Sequence, residues 1–218
     1  MTPDDFVRFL GEERASAILR TPHGERAIPA MEAAARAGFR VLEFTLTIPG
    51  ALDAIAAFAG RPGIAVGAGT VLTREDARAA YSAGARFLVS PVVDEEVIAA
   101  AAELGIASIP GCATPTEMLR ARRAGAPLVK LFPAPADVAA WVRTVLGPLP
   151  DLRIVPTNGV DAGNAAQVLA AGAHAIGFVA PLFDAAEVAA GRYDRIEERA
   201  RDLLHAVRGR TRDGGKRP

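Results

Sequence analysis

Short apolar segments alternate with alanine-rich segments along most of the chain. The apolar segments are followed by Gly or Pro, and the pattern repeats about every 22 residues. The apolar segments are predicted strands, and there are eight of them: residues 15–20, 39–46, 63–70, 85–91, 105–112, 127–133, 153–159 and 173–179. Strands that alternate with helices in this way predict a parallel sheet with covering helices, which is an α/β fold.

The segments between the strands have the spacing of helices, and several end in an Ala-Gly or Leu-Gly step that suits a left-handed C-cap. They include residues 74–83, 95–104, 117–124, 138–146 and 162–171. Eight repeats in 218 residues favour a closed (β/α)8 TIM barrel over an open doubly wound sheet. The open sheet would show a Gly-x-Gly-x-x-Gly turn after an early strand, and Gly67-Ala68-Gly69 lacks the third glycine at the required spacing.

The two ends of the chain have patterns of their own. A short helix is predicted over residues 1–12, with Thr2 as N-cap and Pro3 at the first helical position, and we expect it to plug or flank the barrel bottom. The last helix has one apolar stripe, formed by Ile196, Ala200, Leu203, Leu204 and Val207. We expect residues 1–208 to form one barrel domain and the charged, Gly-rich residues 209–218 to be a disordered tail.

The composition narrows the classes of partner. The 25 basic residues balance 25 acidic ones, which argues against nucleic acid or an anionic membrane as the main partner. One cysteine, Cys112, excludes an internal disulfide framework, and three scattered histidines offer no zinc-ligand spacing, so we expect neither a metal nor a cofactor. The N-terminus lacks the pattern of a signal peptide, and no charge-free apolar stretch of about 18 residues occurs, so we expect a cytoplasmic location.

Lysine is almost absent from this arginine-rich chain. The 25 basic residues comprise 23 arginines and two lysines, Lys130 and Lys216, and Lys216 lies in the polar tail. Lys130 lies in the apolar run 128–133, where burial would lower the pKa of its ammonium group and leave a useful fraction as free amine. A free amine attacks a carbonyl and forms a Schiff base, which arginine cannot do. The alternative is that Lys130 forms a buried ion pair with a glutamate, or that its aliphatic chain lies along the barrel and its ammonium group reaches solvent.

Glu43 is the only carboxylate inside any predicted strand, and its neighbours are apolar. A Schiff-base cycle needs a group that moves protons, and a carboxylate with a raised pKa can do so through a bound water. The alternative is that Glu43 is the counter-ion of Lys130 or Arg20.

Three further side chains at strand ends are possible donors to a substrate. Arg20 can take an anionic group in two parallel hydrogen bonds, and Thr70 and Thr157 can serve carboxylates or hydroxyls. Threonine is also common at strand ends because of its β-propensity, so each threonine is equally a structural residue. Cys112 is expected to be a small buried hydrophobe, because no histidine adjoins it in the sequence.

The segments that carry these residues resemble those of a known family. In order along the chain they read RVLEFTL (40–46), VGAGTVL (66–72), VSP (89–91), PGCATPTE (110–117), VKLFP (129–133) and VPTNGV (155–160). This set resembles the 2-keto-3-deoxy-6-phosphogluconate (KDPG) aldolase family, which also includes the 4-hydroxy-2-oxoglutarate (KHG) aldolases. The resemblance extends from Arg14 to Leu204.

The resemblance implies a class I aldolase, with Lys130 as the Schiff-base lysine and Glu43 as the proton-shuttling glutamate. Such an enzyme cleaves the C3–C4 bond of a 2-keto-4-hydroxy acid and releases pyruvate and an aldehyde. The family further implies Arg20 as a contact for the anionic substrate and, around the pyruvyl group, Thr70, Pro91, Phe132 and Thr157. It also implies a homotrimer.

The chain departs from the family pattern at substrate-binding positions. Some members carry an arginine four residues after the glutamate, where this chain has Thr47. The family's phosphate cradle resembles a Thr-Gly-Gly segment and a later Gly-Ser pair, whereas this chain has Thr157-Asn158-Gly159 and Gly177-Phe178-Val179-Ala180. Small residues let the backbone approach a phosphate, and we expect Phe178 and Val179 to occupy that space. A shorter or unphosphorylated keto acid is therefore the expected substrate.

Two function classes follow from these residues. The first is a pyruvate-forming aldolase. The alternative is a degenerate family member with an altered phosphate site, which acts on an unphosphorylated keto acid or serves as a keto-acid-binding or structural trimer.

Overall fold

Eight parallel strands form a barrel in the computed structural model, which describes residues 1–209. The strands are β1 (Ala15–Leu19), β2 (Val41–Thr45), β3 (Ala65–Gly69), β4 (Phe87–Ser90), β5 (Ala107–Cys112), β6 (Val129–Leu131), β7 (Ile154–Pro156) and β8 (Ile176–Phe178). They lie in the order β7-β6-β5-β4-β3-β2-β1-β8, and a parallel bridge between Thr157 and Gly177 joins the two ends of the sheet. The predicted (β/α)8 barrel is confirmed.

Helices follow the strands around the outside of the barrel. Their bounds are α1 (Pro3–Glu13), α2 (Gly24–Ala37), α3 (Ala51–Phe58), α4 (Arg74–Ser82), α5 (Glu95–Glu103), α6 (Pro115–Arg123), α7 (Val138–Leu146), α8 (Ala165–Ala170), α9 (Ala185–Ala189) and α10 (Tyr193–Val207). Threonine or aspartate side chains cap the first turns of several of them, as Thr73 and Thr114 do for α4 and α6.

The observed strands are shorter than the predicted apolar segments. The segment 127–133 contains only the three strand residues of β6, and the segment 173–179 only the three of β8. The segment 127–133 also begins and ends with proline, which has no backbone N–H for the ladder. The helix predicted over 162–171 likewise begins only at Ala165, because residues 161–164 form a turn held by their own side chains.

Two apolar layers surround the strands. Outward-facing strand residues such as Leu42 and Phe44 pack against the helices in the larger cluster, and inward-facing residues such as Val41 and Val155 fill the barrel in the smaller one. This alternation follows from the two-residue period of a strand. It determines which side chains reach the barrel interior.

Helix α1 closes the bottom of the barrel, as predicted. Thr2 is its N-cap, and the backbone N–H of Asp5 donates to Thr2 Oγ1 over 3.2 Å. Phe6 and Leu10 are fully buried in the interior cluster, where the Phe6 ring stacks on Phe87 at a centroid distance of 4.5 Å. The plug therefore belongs to the same packed core as the strands.

The last helix, α10, packs against α2 and buries the predicted apolar stripe. The predicted tail lies outside the described residues except for Gly209, which donates its N–H to the carbonyl of Ala206. Among residues 1–209, no helix has both the length and the apolar character needed to cross a membrane.

Candidate active site

Lys130 and Glu43 both face the interior of the barrel. On β2 the neighbours of Glu43, Leu42 and Phe44, point outward to the helices, and on β6 Val129 and Leu131 do the same around Lys130. The strand period therefore turns both ionisable side chains inward. Each lies in the last three residues of its strand, near the carboxyl-end mouth where loops from all strands converge.

A narrow cavity lies inside the barrel beneath this mouth. Its walls are mainly aliphatic and aromatic strand side chains, and Leu10 of α1 lies at its lower end. The polar side chains that line it are those of Ser16, Glu43, Lys130 and Thr157. The cavity thus brings an amine, a carboxyl group and two hydroxyls together in apolar surroundings.

Burial determines the protonation of Lys130. Only 8% of this residue is exposed. Burial lowers the pKa of the ammonium group from 10.5, Glu43 opposes that change, and the positive charge of Arg20 reinforces it. A larger fraction of Lys130 is consequently a neutral amine at a given pH than for a lysine in water.

Glu43 shifts in the opposite direction for the same reason. It is 2% exposed, and burial raises the pKa of its carboxyl group above 4.5, while Lys130 and Arg20 act to lower it. Among the ion pairs within 4.0 Å in residues 1–209, none joins Glu43 to Lys130 or Arg20. The alternative of a direct buried ion pair is therefore not what the structure contains, although the charges interact at longer range.

Gly69 makes room for the Glu43 side chain. A Cβ atom at position 69 would lie 2.0 Å from Oε1 of Glu43 and 2.8 Å from its Cδ. Any other residue at the end of β3 would displace the carboxylate. This role was missed in the sequence analysis, although a glycine inside a strand often marks a place where another group approaches the backbone closely.

The hydroxyl of Thr157 is buried in the same cavity as Lys130. Thr157 is 2% exposed, and its Oγ1 has no hydrogen-bond partner within residues 1–209. A Cβ at position 177 would lie 2.6 Å from this oxygen, so Gly177 leaves the space that Thr157 occupies. A buried hydroxyl without a partner is unusual in native proteins.

Phe132 and Pro91 lie at the mouth. The Phe132 ring centroid is 5.2 Å from Nζ of Lys130, and the residue is half-buried. Pro91 is half-buried as well, and its carbonyl oxygen would lie 2.2 Å from a Cβ at position 111. Gly111 therefore allows the chain after β4 to lie against β5.

Arg20 and Thr70 meet across the end of β2. Nη2 of Arg20 donates to Oγ1 of Thr70 over 3.2 Å, although the two residues follow β1 and β3. Thr70 has a φ of 59°, which is uncommon for a β-branched residue. Thr47 is exposed, and its hydroxyl lies 2.9 Å from that of Thr45. Arg20 is thus the cation at this part of the mouth.

Asn158 and Gly159 lie in the exposed loop after β7. The N–H of Gly159 donates to Oδ1 of Asn158 over 3.0 Å. The expectation that Phe178 fills the space near this loop is wrong. Its ring is fully buried among the outer helices, with its centroid 6.2 Å from that of Phe39, because β8 turns this residue outward.

The one cysteine of the chain does not belong to this chemistry. Cys112 is buried, and burial raises the pKa of its thiol to about 12, which disfavours a nucleophilic thiolate. Within residues 1–209, no three His, Cys, Asp or Glu side chains are grouped so that they could hold a metal ion.

Comparisons with known proteins agree with this geometry. The profile of the family described as KDPG and KHG aldolase matches residues 8–199. The KHG/KDPG aldolase of Escherichia coli K12 is 36% identical over 186 residues, which cover 84% of this chain and 87% of that protein.

Two solved structures are similar over most of the chain. A cube-shaped protein cage designed by fusing symmetric oligomeric domains has a TM-score of 0.83 and 30% identity, over 90% of this chain and 73% of that one. The KDPG aldolase from Legionella pneumophila, with pyruvate captured as a covalent carbinolamine intermediate, has a TM-score of 0.79 and 26% identity. The match covers 90% of this chain and 97% of that one. The chain therefore belongs to the KDPG and KHG aldolase family, whose named members are carbon–carbon lyases.

Proposed function

We propose that this chain is a class I aldolase, which cleaves a 2-keto-4-hydroxy acid to pyruvate and an aldehyde through a Schiff base on Lys130. The observation that carries the proposal is the buried amine of Lys130, which shares one cavity with the carboxyl group of Glu43. Burial lowers the pKa of the amine and raises that of the carboxyl group, so a nucleophile and a proton carrier are present together.

Lys130 performs the covalent step. Its neutral amine attacks C2 of the keto acid, and the carbonyl oxygen takes up a proton to give a carbinolamine. Loss of water then leaves a protonated imine between C2 and Nζ. This cation accepts the electron pair of the C3–C4 bond when that bond breaks, which gives an enamine of pyruvate.

Glu43 moves the protons. As a carboxylate it removes the proton of the C4 hydroxyl, directly or through water, while the C3–C4 bond breaks and the aldehyde leaves. The carboxylic acid so formed returns a proton to C3 of the enamine. Addition of water to the imine then releases pyruvate and restores the amine of Lys130.

The surrounding residues orient the keto acid. Arg20 and Thr70 supply donors for an anionic group at the mouth, and the unpartnered hydroxyl of Thr157 supplies a donor inside the cavity. Phe132 limits the space beside the amine, and we expect Pro91 to line the pyruvyl pocket. The carbinolamine described for the Legionella pneumophila enzyme supports this chemistry for a chain of the same fold.

Borohydride reduction in the presence of pyruvate tests the proposal. We expect a stable adduct of pyruvate mass on the peptide that contains Lys130, and none in Lys130→Met. Lys216→Met is the matched control, because it removes the other lysine and should trap pyruvate like the parent. A folded parent that forms no adduct would favour the keto-acid-binding alternative. An adduct without cleavage of any 2-keto-4-hydroxy acid would indicate a degenerate enzyme.

We also propose a homotrimer in the cytoplasm. Apolar side chains are exposed on three consecutive loops or helix starts after β2, β3 and β4: Leu52 (39%), Leu72 (49%) and Val92 (54%). Because these side chains follow neighbouring strands, they are candidates for an interface, and the similar cage structure is described as designed by fusing symmetric oligomeric domains. Sedimentation equilibrium is expected to give three times the chain mass. A monomer at micromolar concentration would contradict the proposal.

A further inference from the structure

Asparagine is almost absent from this chain. The sequence contains two asparagines, Asn158 and Asn164, and both lie between β7 and α8. Asn158 is followed by Gly159, and Asn164 is followed by Ala165. Asparagine is a thermolabile residue, and it loses ammonia most readily before glycine, because a residue without a Cβ lets its backbone nitrogen approach the preceding side chain. The two asparagines can therefore be compared within one loop.

The structure brings together the two groups that would react at Asn158. The backbone N–H of Gly159 donates to Oδ1 of Asn158 over 3.0 Å, so the nitrogen lies against the carboxamide of the preceding residue. The φ angles of Asn158 and Gly159 are 84° and 71°, and both residues are exposed. Water and hydroxide therefore reach the N–H group that must lose its proton before the nitrogen can attack.

Asn164 has neither of these features. The N–H of Ala165 donates to the carbonyl of Asp161 over 3.0 Å, and Ala165 is fully buried at the start of α8. Oδ1 of Asn164 accepts a hydrogen bond from the N–H of Asp161 over 2.9 Å, and its Nδ2 donates to the carbonyl of Gly159 over 2.9 Å. Both ends of this carboxamide are bound, and the nitrogen that could attack it belongs to a helix.

We propose that Asn158 is a site of spontaneous modification, at which its side chain condenses with the backbone of Gly159. The amide nitrogen of Gly159 attacks Cγ of Asn158 after its proton has passed to solvent. The N–Cγ bond forms, the Cγ–Nδ2 bond breaks, and the leaving group takes up a proton from solvent and departs as ammonia. Water then opens the cyclic imide at Cγ, which gives aspartate, or at the main-chain carbonyl, which gives isoaspartate.

Isoaspartate adds one methylene group to the main chain between two anchored points. On one side the N–H of Thr157 donates to the carbonyl of Leu131 over 3.1 Å, and on the other the carbonyl of Gly159 accepts from Asn164. The extra C–C bond lengthens this path by about 1.5 Å. A Cβ at position 159 would already lie 3.3 Å from Cγ2 of Val138, so the loop has little room on that side. One of the two anchors must therefore move.

Displacement of Thr157 would affect the cavity of Lys130, because the Thr157 side chain lines it. The keto acid would lose the hydrogen bond that we assign to this hydroxyl. We therefore expect the isoaspartyl form to have a kcat/KM about tenfold lower than that of freshly prepared protein. This consequence rests on the proposed aldolase activity, whereas the modification of Asn158 does not.

Mass spectrometry of the full-length protein, incubated in mildly alkaline buffer, tests the modification. Trypsin leaves both asparagines in the peptide 154–192, and fragmentation of this peptide locates the mass increase that accompanies loss of ammonia and gain of water. We expect the increase at Asn158 and not at Asn164, and a rate that rises with pH because the N–H must lose its proton. Methylation by an isoaspartate methyltransferase measures the isoaspartyl fraction. No increase at Asn158, or an equal increase at Asn164, would overturn the proposal.

Asn158→Gly is the matched control for the loss of activity. Glycine adopts a φ of 84° without strain and has no carboxamide, so this variant should form no isoaspartate. Its kcat/KM for the faster of the KDPG and KHG substrates should stay at the value of its own fresh preparation. The parent's kcat/KM should fall in proportion to its isoaspartyl fraction.

Two results would contradict the effect on Thr157. One is a modified parent whose kcat/KM is unchanged, and the other is a control variant that loses activity as fast as the parent. Failure of the aldolase proposal itself would instead show in the fresh parent, as the absence of cleavage and of the Lys130 adduct. The mass measurement would still decide whether Asn158 is modified.

Discussion

Replacing Gly69 with alanine is expected to move the Glu43 carboxylate and slow proton transfer, while the Lys130 amine stays in place. The new Cβ would lie 2.0 Å from Oε1 of Glu43, and such contacts are essentially never closer than 3.0 Å. The carboxylate must therefore move by about 1 Å. Misplacement of a reacting group by about 1 Å can cost about 100-fold in rate, which is about 2.7 kcal/mol of activation free energy.

Two assays separate proton transfer from Schiff-base formation. Exchange of the pyruvate methyl protons in D2O, followed by NMR, reports proton transfer at C3, and borohydride trapping reports the chemistry of Lys130. In Gly69→Ala we expect exchange to fall about 100-fold, while the adduct yield at saturating pyruvate stays close to that of the parent. Glu43→Asp shortens the side chain by one methylene group, so adding it to Gly69→Ala should restore part of the exchange.

A second glycine provides the control. A Cβ at Gly147 would meet the carbonyl of Thr144 at 3.4 Å, an ordinary contact, so Gly147→Ala should exchange like the parent. Parent-like exchange in Gly69→Ala, or a double variant no faster than Gly69→Ala alone, would refute the argument that Gly69 determines the position of Glu43. A variant that merely unfolds would lose trapping and exchange together, and denaturant unfolding would report it.

Three further substitutions test the electrostatics of the site. Lys130→Met should abolish cleavage yet raise the free energy of unfolding by about 1 kcal/mol at pH 7. Folding lowers the pKa of Lys130 below 10.5, so the unfolded parent binds more protons than the folded parent, and the parent gains stability as pH rises toward 10.5. Urea titrations should therefore show the difference in free energy of unfolding between the parent and Lys130→Met becoming smaller as pH rises. Arg20→Met should raise KM for the keto acid about tenfold, and should move the acidic limb of the trapping rate to higher pH, because the charge of Arg20 lowers the pKa of Lys130. Thr157→Val keeps the shape but removes an unpartnered hydroxyl, so thermal unfolding should show equal or greater stability while kcat/KM falls about tenfold.

The barrel and the two central ionisable residues could be predicted from the sequence because they depend on local patterns. Strand period and the contrast between one charged residue and its apolar neighbours are properties of a few consecutive residues. They sufficed for Lys130 and Glu43, which both face the interior.

Features that depend on contact between distant segments were not predictable in the same way. The space that Gly69 leaves for the Glu43 carboxylate depends on the register of β2 and β3, which pairs Gly69 with Thr45. The outward orientation of Phe178 depends on where β8 starts, and a shift of one residue would reverse it. The capping of Gly159 by Asn158 depends on loop conformation, for which composition gives only a general turn signal.

The stack of Phe6 on Phe87 anchors helix α1 in the core that surrounds the barrel cavity. Leu10, on the same helix, lines the cavity that also contains Lys130, so α1 contributes to the burial of the amine. Shortening the first helix would hydrate the amine from beneath and return its basicity toward that of an ordinary lysine. The protonation of Lys130, near the carboxyl ends of the strands, therefore depends in part on residues at the opposite end of the barrel.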